Sequence, residues 1–291
     1  MRQLEPRAKA SNKNIHPETA VISVVHLGSL DYATALHLQQ TLVSLRKQDR
    51  IPDVLLLLEH PPVITFGRNS SHKNLLASND LLRQKGVESF ETNRGGDVTF
   101  HGPGQLVGYP IFDLRGFSPR IGAVEFVRRV EEALIRTCGD LGIPSERICG
   151  LTGVWTAADG ESQARGCTSS QSAQPMTRQS VQKKIAAIGI HISQGITSHG
   201  FALNVTTDLN YFKLIVPCGI TDRPVTSIAQ ELAGKCQVAS MEQLVHSISL
   251  NMGRVFARQM LWLESLESLL LDAEAAETPE SNTAEVVSRV Q

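Results

Sequence analysis

The 291-residue chain predicts a mixed α+β fold, a single domain built on a mixed sheet with flanking helices. Three observations support that class. Short apolar runs of strand length are interleaved with stretches whose leucines and valines recur at helical spacing. These elements do not follow a regular β-α-β alternation, which argues against a doubly wound parallel sheet. The chain is also long enough to bury a sizeable core, and its apolar runs fall far short of the roughly 20 residues that a membrane span needs.

Residues 20–27 are mostly apolar and read as a strand. Asp31 then suits a helix N-cap, with Leu38, Leu42 and Leu45 forming an apolar stripe. Residues 54–58 and 63–66 flank Glu59-His60-Pro61-Pro62 and read as two buried strands around a turn. Residues 106–112 form a further strand candidate. From Ala123 to Cys138, the side chains of Val127, Val130, Leu134 and Cys138 share one helical face, and Gly139 is placed to end the helix. Residues 151–156, 184–193 and 201–205 supply three more strands. Ser240 and Gln243 form a capping-box pattern ahead of Leu244, Ile248, Met252 and Val255, which predicts a C-terminal helix.

The flanks differ from the core. Residues 1–19 form a polar N-terminal extension, a single domain is assigned to residues 20–263, and residues 264–291 read as an acidic tail. Within the domain, residues 157–182 are dominated by Ser, Gln, Gly, Thr and Ala, with no apolar period. This polar insert reads as a solvent-exposed loop, with too little apolar area to offset the entropy of ordering it.

With 28 Lys and Arg against 29 Asp and Glu, the net charge of −1 provides no general drive toward nucleic acid or an anionic membrane. Neither is expected as a partner. The five cysteines (Cys138, Cys149, Cys167, Cys218, Cys236) are scattered, with no spacing that signals zinc or a disulfide framework. That fits a reducing compartment, and a cytoplasmic location is expected because Glu5 and Glu18 weaken an organellar presequence and no apolar signal core is present.

The segment from Arg94 to Tyr109, RGGDVTFHGPGQLVGY, packs glycines beside an arginine, a histidine and a glutamine. Glycine lets a ligand approach main-chain N–H groups, so such a segment can form the wall of a site. It lacks the spacing of a dinucleotide fold and the lysine-serine end of a P-loop. The bland readings are turns for Gly95, Gly96, Gly102 and Gly104, and a core imidazole for His101. Cys218 lies between Pro217 and Gly219, a stiff-then-permissive context that can project a side chain. Cys138, on an apolar stripe, reads as a structural thiol. Strand alternation allows only one of Lys183 and Lys184 into a given pocket. If Lys184 faces Cys218, its ammonium stabilises the thiolate; otherwise it is a strand-end lysine reaching solvent. Glu59 and His60 read as structural, and His199 as part of a pocket wall.

The Arg94–Tyr109 segment resembles the signature of octanoyltransferases of the LipB family. Three further blocks agree in order and spacing: EHPPVITFG from Glu59, KIAAIG from Lys184, and TSHGFALNV from Thr197 leading to Pro217-Cys218-Gly219. The resemblance covers about residues 22–260 and implies the α+β domain shared with biotin and lipoate protein ligases. It implies transfer of an octanoyl group from octanoyl-acyl carrier protein to a lysine of lipoyl domains in 2-oxoacid dehydrogenases or of glycine-cleavage H protein. Neither ATP nor any other cofactor, nor a metal, is required, and a monomer is expected.

Family roles carry over as a catalytic cysteine at Cys218 and a lysine at Lys184. Substrate contacts are implied at Arg94, Gly95, Gly96, Asp97, Val98, Thr99, Phe100 and His101, at Ala187, Ile188 and Gly189, and at Gly200, Phe201 and Ala202. Val98, Phe100, Ile188 and Phe201 are the candidates for an apolar tunnel. The insert at 157–182 departs from the family, which usually has a short turn there. Two other readings stay open: an ATP-dependent lipoate or biotin protein ligase, and a non-catalytic module that binds an acyl chain or its carrier protein.

Overall fold

A computed structural model describes residues 20–158, 181–220, 222–267 and 269–270. The N-terminal extension at 1–19, the greater part of the insert, Cys167 and the tail beyond 270 lie outside the described residues.

In chain order the elements are β1 (Val21–Ser29), α1 (Tyr32–Lys47), β2 (Asp53–Glu59), β3 (Val63–Phe66), α2 (Asn79–Gln84), β4 (Glu88–Glu91), β5 (Thr99–His101) and β6 (Gln105–Ile111). There follow α3 (Ala123–Asp140), β7 (Ser145–Ile148), β8 (Leu151–Thr156), β9 (Lys184–Ser193), β10 (Ile196–Asn204), α4 (Ile228–Leu232), α5 (Met241–Phe256) and β11 (Gln259–Leu263). Eight strands form one sheet in the order β11-β1-β2-β6-β10-β9-β8-β7, and β4-β3-β5 form a second, three-stranded sheet. β1 pairs parallel with β2 and β11, whereas the pairings from β2 through β6, β10, β9 and β8 to β7 are antiparallel. The sheet is therefore mixed, as the irregular succession of elements predicts.

The unbroken apolar run in β2 has a direct cause. Val54, Leu56 and Leu58 pack with Ala35 and Leu42 of α1 on one face of the sheet, while Leu55 and Leu57 face the layer of α3 and α5 on the other. A strand covered on both sides has no polar face to alternate with. α3 contributes Phe126, Val130 and Leu134 to that second layer, and α5 contributes Leu244, Ile248, Met252 and Phe256. Asp31 caps α1 by accepting the Thr34 N–H at 2.8 Å, and Ser240 with Gln243 forms the reciprocal capping box of α5.

β2 and β3 are both buried, as expected, and they flank the Pro61-Pro62 turn in different sheets, because the prolines carry the chain out of one layer into the next. Two expectations change. Gly139 does not end α3, which runs on to Asp140; Gly142, at φ +74°, takes the left-handed position beyond the end. The strand expected from residue 201 begins at Ile196. The short strands β4, β5, β7 and β11 carry too few residues to show a period. The two ends of the insert meet on antiparallel strands, where the Thr156 N–H donates to Lys183 O at 2.8 Å.

Candidate active site

A cleft opens between the large sheet and the glycine-rich segment. Its floor is made of backbone. Gly200 of β10 lies opposite Gly189 of β9, and Phe201 lies opposite Gly108 of β6. A Cβ on Gly200 would fall 1.8 Å from the Gly108 carbonyl oxygen, and one on Gly189 would fall 2.7 Å from Gly95 O. Only glycine fits at either position. The glycine-rich segment is therefore seated directly on β9, where the Gly95 N–H donates to Ile190 O at 3.0 Å.

Arg94, 7 % exposed, holds that segment in place. Its Nε and Nη2 donate to Thr65 Oγ1 at 3.1 and 3.0 Å, Nη2 also reaches Thr65 O at 2.6 Å, and Nη1 reaches Gly95 O at 3.1 Å. Thr65 Oγ1 lies 3.5 Å from His101 Nε2, and His101 Nδ1 donates to Gln105 Oε1 at 2.7 Å. The chain continues inward: Gln105 Nε2 donates to Asn204 Oδ1 at 2.9 Å, Asn204 Nδ2 to Thr226 O at 2.9 Å, and the Thr226 N–H to Lys184 O at 2.8 Å. A buried polar chain thus joins the cleft wall to the start of β9. Burying such groups is tolerable because each finds a partner.

The histidines here are held neutral. Burial lowers His101 to about 3, with further lowering by His60, and burial also lowers His60 and His199 to about 4. His60 Nδ1 donates to Leu30 O at 2.6 Å, which leaves Nε2 to accept the Tyr109 hydroxyl at 2.7 Å. Glu59 Oε2 accepts the Gly104 N–H at 2.6 Å. The pair read as structural in the sequence is therefore built into the site's frame. His199 has φ +56°, its Nε2 donates to Asn93 Oδ1 at 2.6 Å, and it lines the cleft.

Arg94, Gly96, Asp97, Thr99 and His101 line the cleft, as do Ala187, Ile188 and Gly189 and, on β10, Gly200, Phe201 and Ala202. Gly95, Val98 and Phe100 do not. Thr99 and His101 face the cleft, so strand alternation turns Val98 and Phe100 away into a separate core. There Phe100 stacks on Tyr211 with ring centres 4.7 Å apart. The tunnel expected from Val98 and Phe100 is corrected accordingly, while Ile188 and Phe201 remain in the lining. Tyr32, Val107 and Tyr109 also line the cleft. Val107 and Tyr109 belong to the Arg94–Tyr109 segment read as a site wall, whereas nothing local marks Tyr32, which reaches the site from the first turn of α1.

Lys184 and Lys183 separate as alternation requires. The Lys183 ammonium pairs with Glu231 at 2.6 Å. Lys184, 7 % exposed, lines a second, narrow cavity with Gln105, Asn204, Pro217 and Val225. The two cavities share Thr99, Ala187 and Ala202 and so adjoin. Lys184 Nζ lies 5.1 Å from the centre of the Trp155 ring. A Cβ on Gly153 would fall 2.7 Å from Lys184 Cε, so the missing side chain there makes room for the lysine. Pro217, Cys218 and Gly219 form one 3₁₀ turn at this end. Cys138 is a core thiol, pushed up to about 12 by burial, while Cys149 and Cys236 are exposed. Among the described residues, no three His, Cys, Asp or Glu side chains are grouped to hold a metal ion.

Residues 31–249 match the lipoyl protein ligase A/B catalytic domain. The octanoyltransferase of Koribacter versatilis is 58 % identical over 263 residues, covering 89 % of this chain and 95 % of that one. That of Acidobacterium capsulatum is 55 % identical over 255 residues, with 86 % and 96 % covered. Among solved structures, the bipartite lipoate protein ligase of Thermoplasma acidophilum superposes with a TM-score of 0.60 at 14 % identity, covering 88 % of this chain and 91 % of that one. At that identity the superposition speaks for the fold alone. The sequence relationships carry more: the chain is an acyltransferase that belongs to the lipoyl protein ligase A/B catalytic-domain family, on its octanoyltransferase side.

Proposed function

We propose that this octanoyltransferase takes its acyl group from the thioester of octanoyl-acyl carrier protein and delivers it to the lysine ε-amine of lipoyl domains and glycine-cleavage H protein, through a Cys218 thioester. The observation that carries this reading is the junction of the two cavities. A cleft lined in part by Val107, Ile188 and Phe201 meets a buried lysine beside the Pro217–Gly219 turn. A cytoplasmic site of action fits a chain whose described residues contain no helix long and apolar enough to cross a membrane.

The chemistry is a double displacement. The Cys218 thiolate attacks the donor carbonyl, the tetrahedral adduct collapses, and the carbon–sulfur bond to the carrier breaks. The carrier thiolate takes a proton from the Lys184 ammonium and departs as the thiol, which leaves Lys184 neutral. A neutral substrate amine attacks the new thioester, a carbon–nitrogen bond forms, and Cys218 is released. Lys184 stabilises the thiolate in the first half and accepts the amine's proton, directly or through water, in the second. A thioester donor already carries the activation energy, so no nucleotide enters the scheme.

Incubation with octanoyl-carrier protein in the absence of ATP tests the reading. A single hydroxylamine-sensitive octanoyl adduct by intact mass, passed on to a lipoyl domain, is expected. Transfer only in the presence of ATP would identify a ligase instead, and binding without turnover would identify a sequestering module.

A further inference from the structure

The Asp97 carboxylate is committed to the protein. Its Oδ1 accepts the Val98 N–H at 2.7 Å and the Ser71 N–H at 3.3 Å, and its Oδ2 accepts Asn74 Nδ2 at 2.5 Å. Asn74 in turn holds the segment that leads to the cysteine, since its carbonyl accepts the Val216 N–H at 2.7 Å. Just upstream, the N–H groups of Leu76 and Ala77 donate to Leu214 O at 2.8 and 3.1 Å. The pair also abuts the turn itself. A Cβ on Gly219 would lie 3.1 Å from Asp97 Oδ2 and 3.6 Å from Asn74 Nδ2. Within the turn the local backbone bonds are Gly219 N–H to Val216 O at 3.1 Å and Ile220 N–H to Pro217 O at 3.0 Å. Among the described residues, an isolated bridge between Leu75 and Ile215 precedes the turn, and no sheet ladder includes the turn itself.

We propose that Asp97 is a positioning residue for the acylation step, fastening the Cys218 turn to the glycine-rich wall through Asn74. This rests on Cys218 being the acyl carrier. Asp97 lines the cleft, but an ionised carboxylate gains nothing from an alkyl chain and loses hydration beside one. Its charge-assisted bonds instead tie the residue 71–77 segment to the wall, and that segment holds the turn. A displacement on the scale of an ångström at a nucleophile is costly in rate even when binding is unchanged.

A polarity swap tests the brace. Asp97→Asn keeps an oxygen for Val98 and Ser71 but sets one amide group against the amide of Asn74. Asn74→Asp sets two carboxylates together. The double variant restores a donor–acceptor pair with its direction reversed. Single-turnover formation of the octanoyl adduct is expected to slow about tenfold in each single variant. The half-saturating donor concentration is expected to stay within about twofold, and the double variant to recover most of the rate. Wild-type rates in Asp97→Asn, a raised half-saturation at unchanged rate, or no recovery in a folded double variant would each overturn the proposal. So would faster thiol alkylation in Asp97→Asn, which would mark a charge effect on the cysteine. If a single variant does not fold, the double decides: a near-native rate supports the brace and a tenfold deficit overturns it. Hydrogen exchange at the Val216 and Ile220 amides, faster in the singles and restored in the double, reports the brace whether or not the cysteine acylates. Absence of any adduct in the wild type would thus count against Cys218, and unchanged exchange against Asp97.

Discussion

The glycine-rich wall and the cysteine turn are held by different means. The wall is fixed many times over: Gly108, Gly189 and Gly200 lie on three adjacent strands in the interior of the eight-stranded sheet, Arg94 spends its guanidinium on Thr65 and Gly95, and His101 begins a chain of buried hydrogen bonds. The turn from Pro217 to Gly219 is a single 3₁₀ turn outside both sheets, braced through the bond from the Val216 N–H to the Asn74 carbonyl. A cleft shaped by backbone needs a rigid strand lattice, because an acyl chain offers few polar handles to position it. A nucleophile that must meet one protein's thioester and then another's amine suits the end of a short element. On this view, changes to the wall are paid mainly in stability and changes to the turn mainly in rate.

The largest effect is expected at the turn. Cys218→Ser should lower transfer by more than about a thousandfold, with unfolding free energy unchanged within about 0.5 kcal/mol. Cys138→Ser, Cys149→Ser, Cys167→Ser and Cys236→Ser should keep the octanoyl adduct. Intact mass and urea titration read both halves, and a large loss of stability in Cys218→Ser would erase the contrast between the regions.

Gly200→Ala probes the wall. Its Cβ would lie 1.8 Å from a backbone carbonyl that cannot rotate aside. A loss of about 3 kcal/mol or more in urea unfolding is expected. A native midpoint would show that the floor yields more readily than its packing implies.

Acid should weaken the wall next. His60, His101 and His199 have folded values of about 4, about 3 and about 4, below the usual imidazole range, with burial the main cause. The unfolded chain therefore binds more protons than the folded one below about pH 6.5, so stability is full above that pH and falls as the pH drops toward the folded values. Each histidine should cost about 2 kcal/mol by pH 5, less where the three are coupled. Urea unfolding at pH 7 and pH 5 should show this. His199→Asn, which tolerates the left-handed backbone at φ +56°, should flatten the slope by about a third. A flat wild-type profile would remove the histidines from the frame.

The smallest effect lies outside both regions. Gly139 is helical within α3, and a Cβ there meets nothing within 4 Å. Gly139→Ala should stabilise the protein by about 0.5–1 kcal/mol and leave transfer unchanged.

The sequence by itself determined the elements whose signals are local. Asp31 before α1, the Ser240–Gln243 box before α5, and the ten-residue run of β9 lie where pattern and capping predict them, because a cap or an apolar period is carried by covalent neighbours. The motif from Arg94 to Tyr109 likewise marked the wall of the site. Tertiary structure alone decided that β2 and β3 part into different sheets and that Val98 and Phe100 turn away from the cleft. It also made neutral imidazoles of His60 and His101 and joined Asp97 through Asn74 to the segment carrying the cysteine. Burial, strand pairing and a hydrogen bond between residues 74 and 216 depend on segments far apart in the chain, and no local pattern specifies which distant partner will arrive.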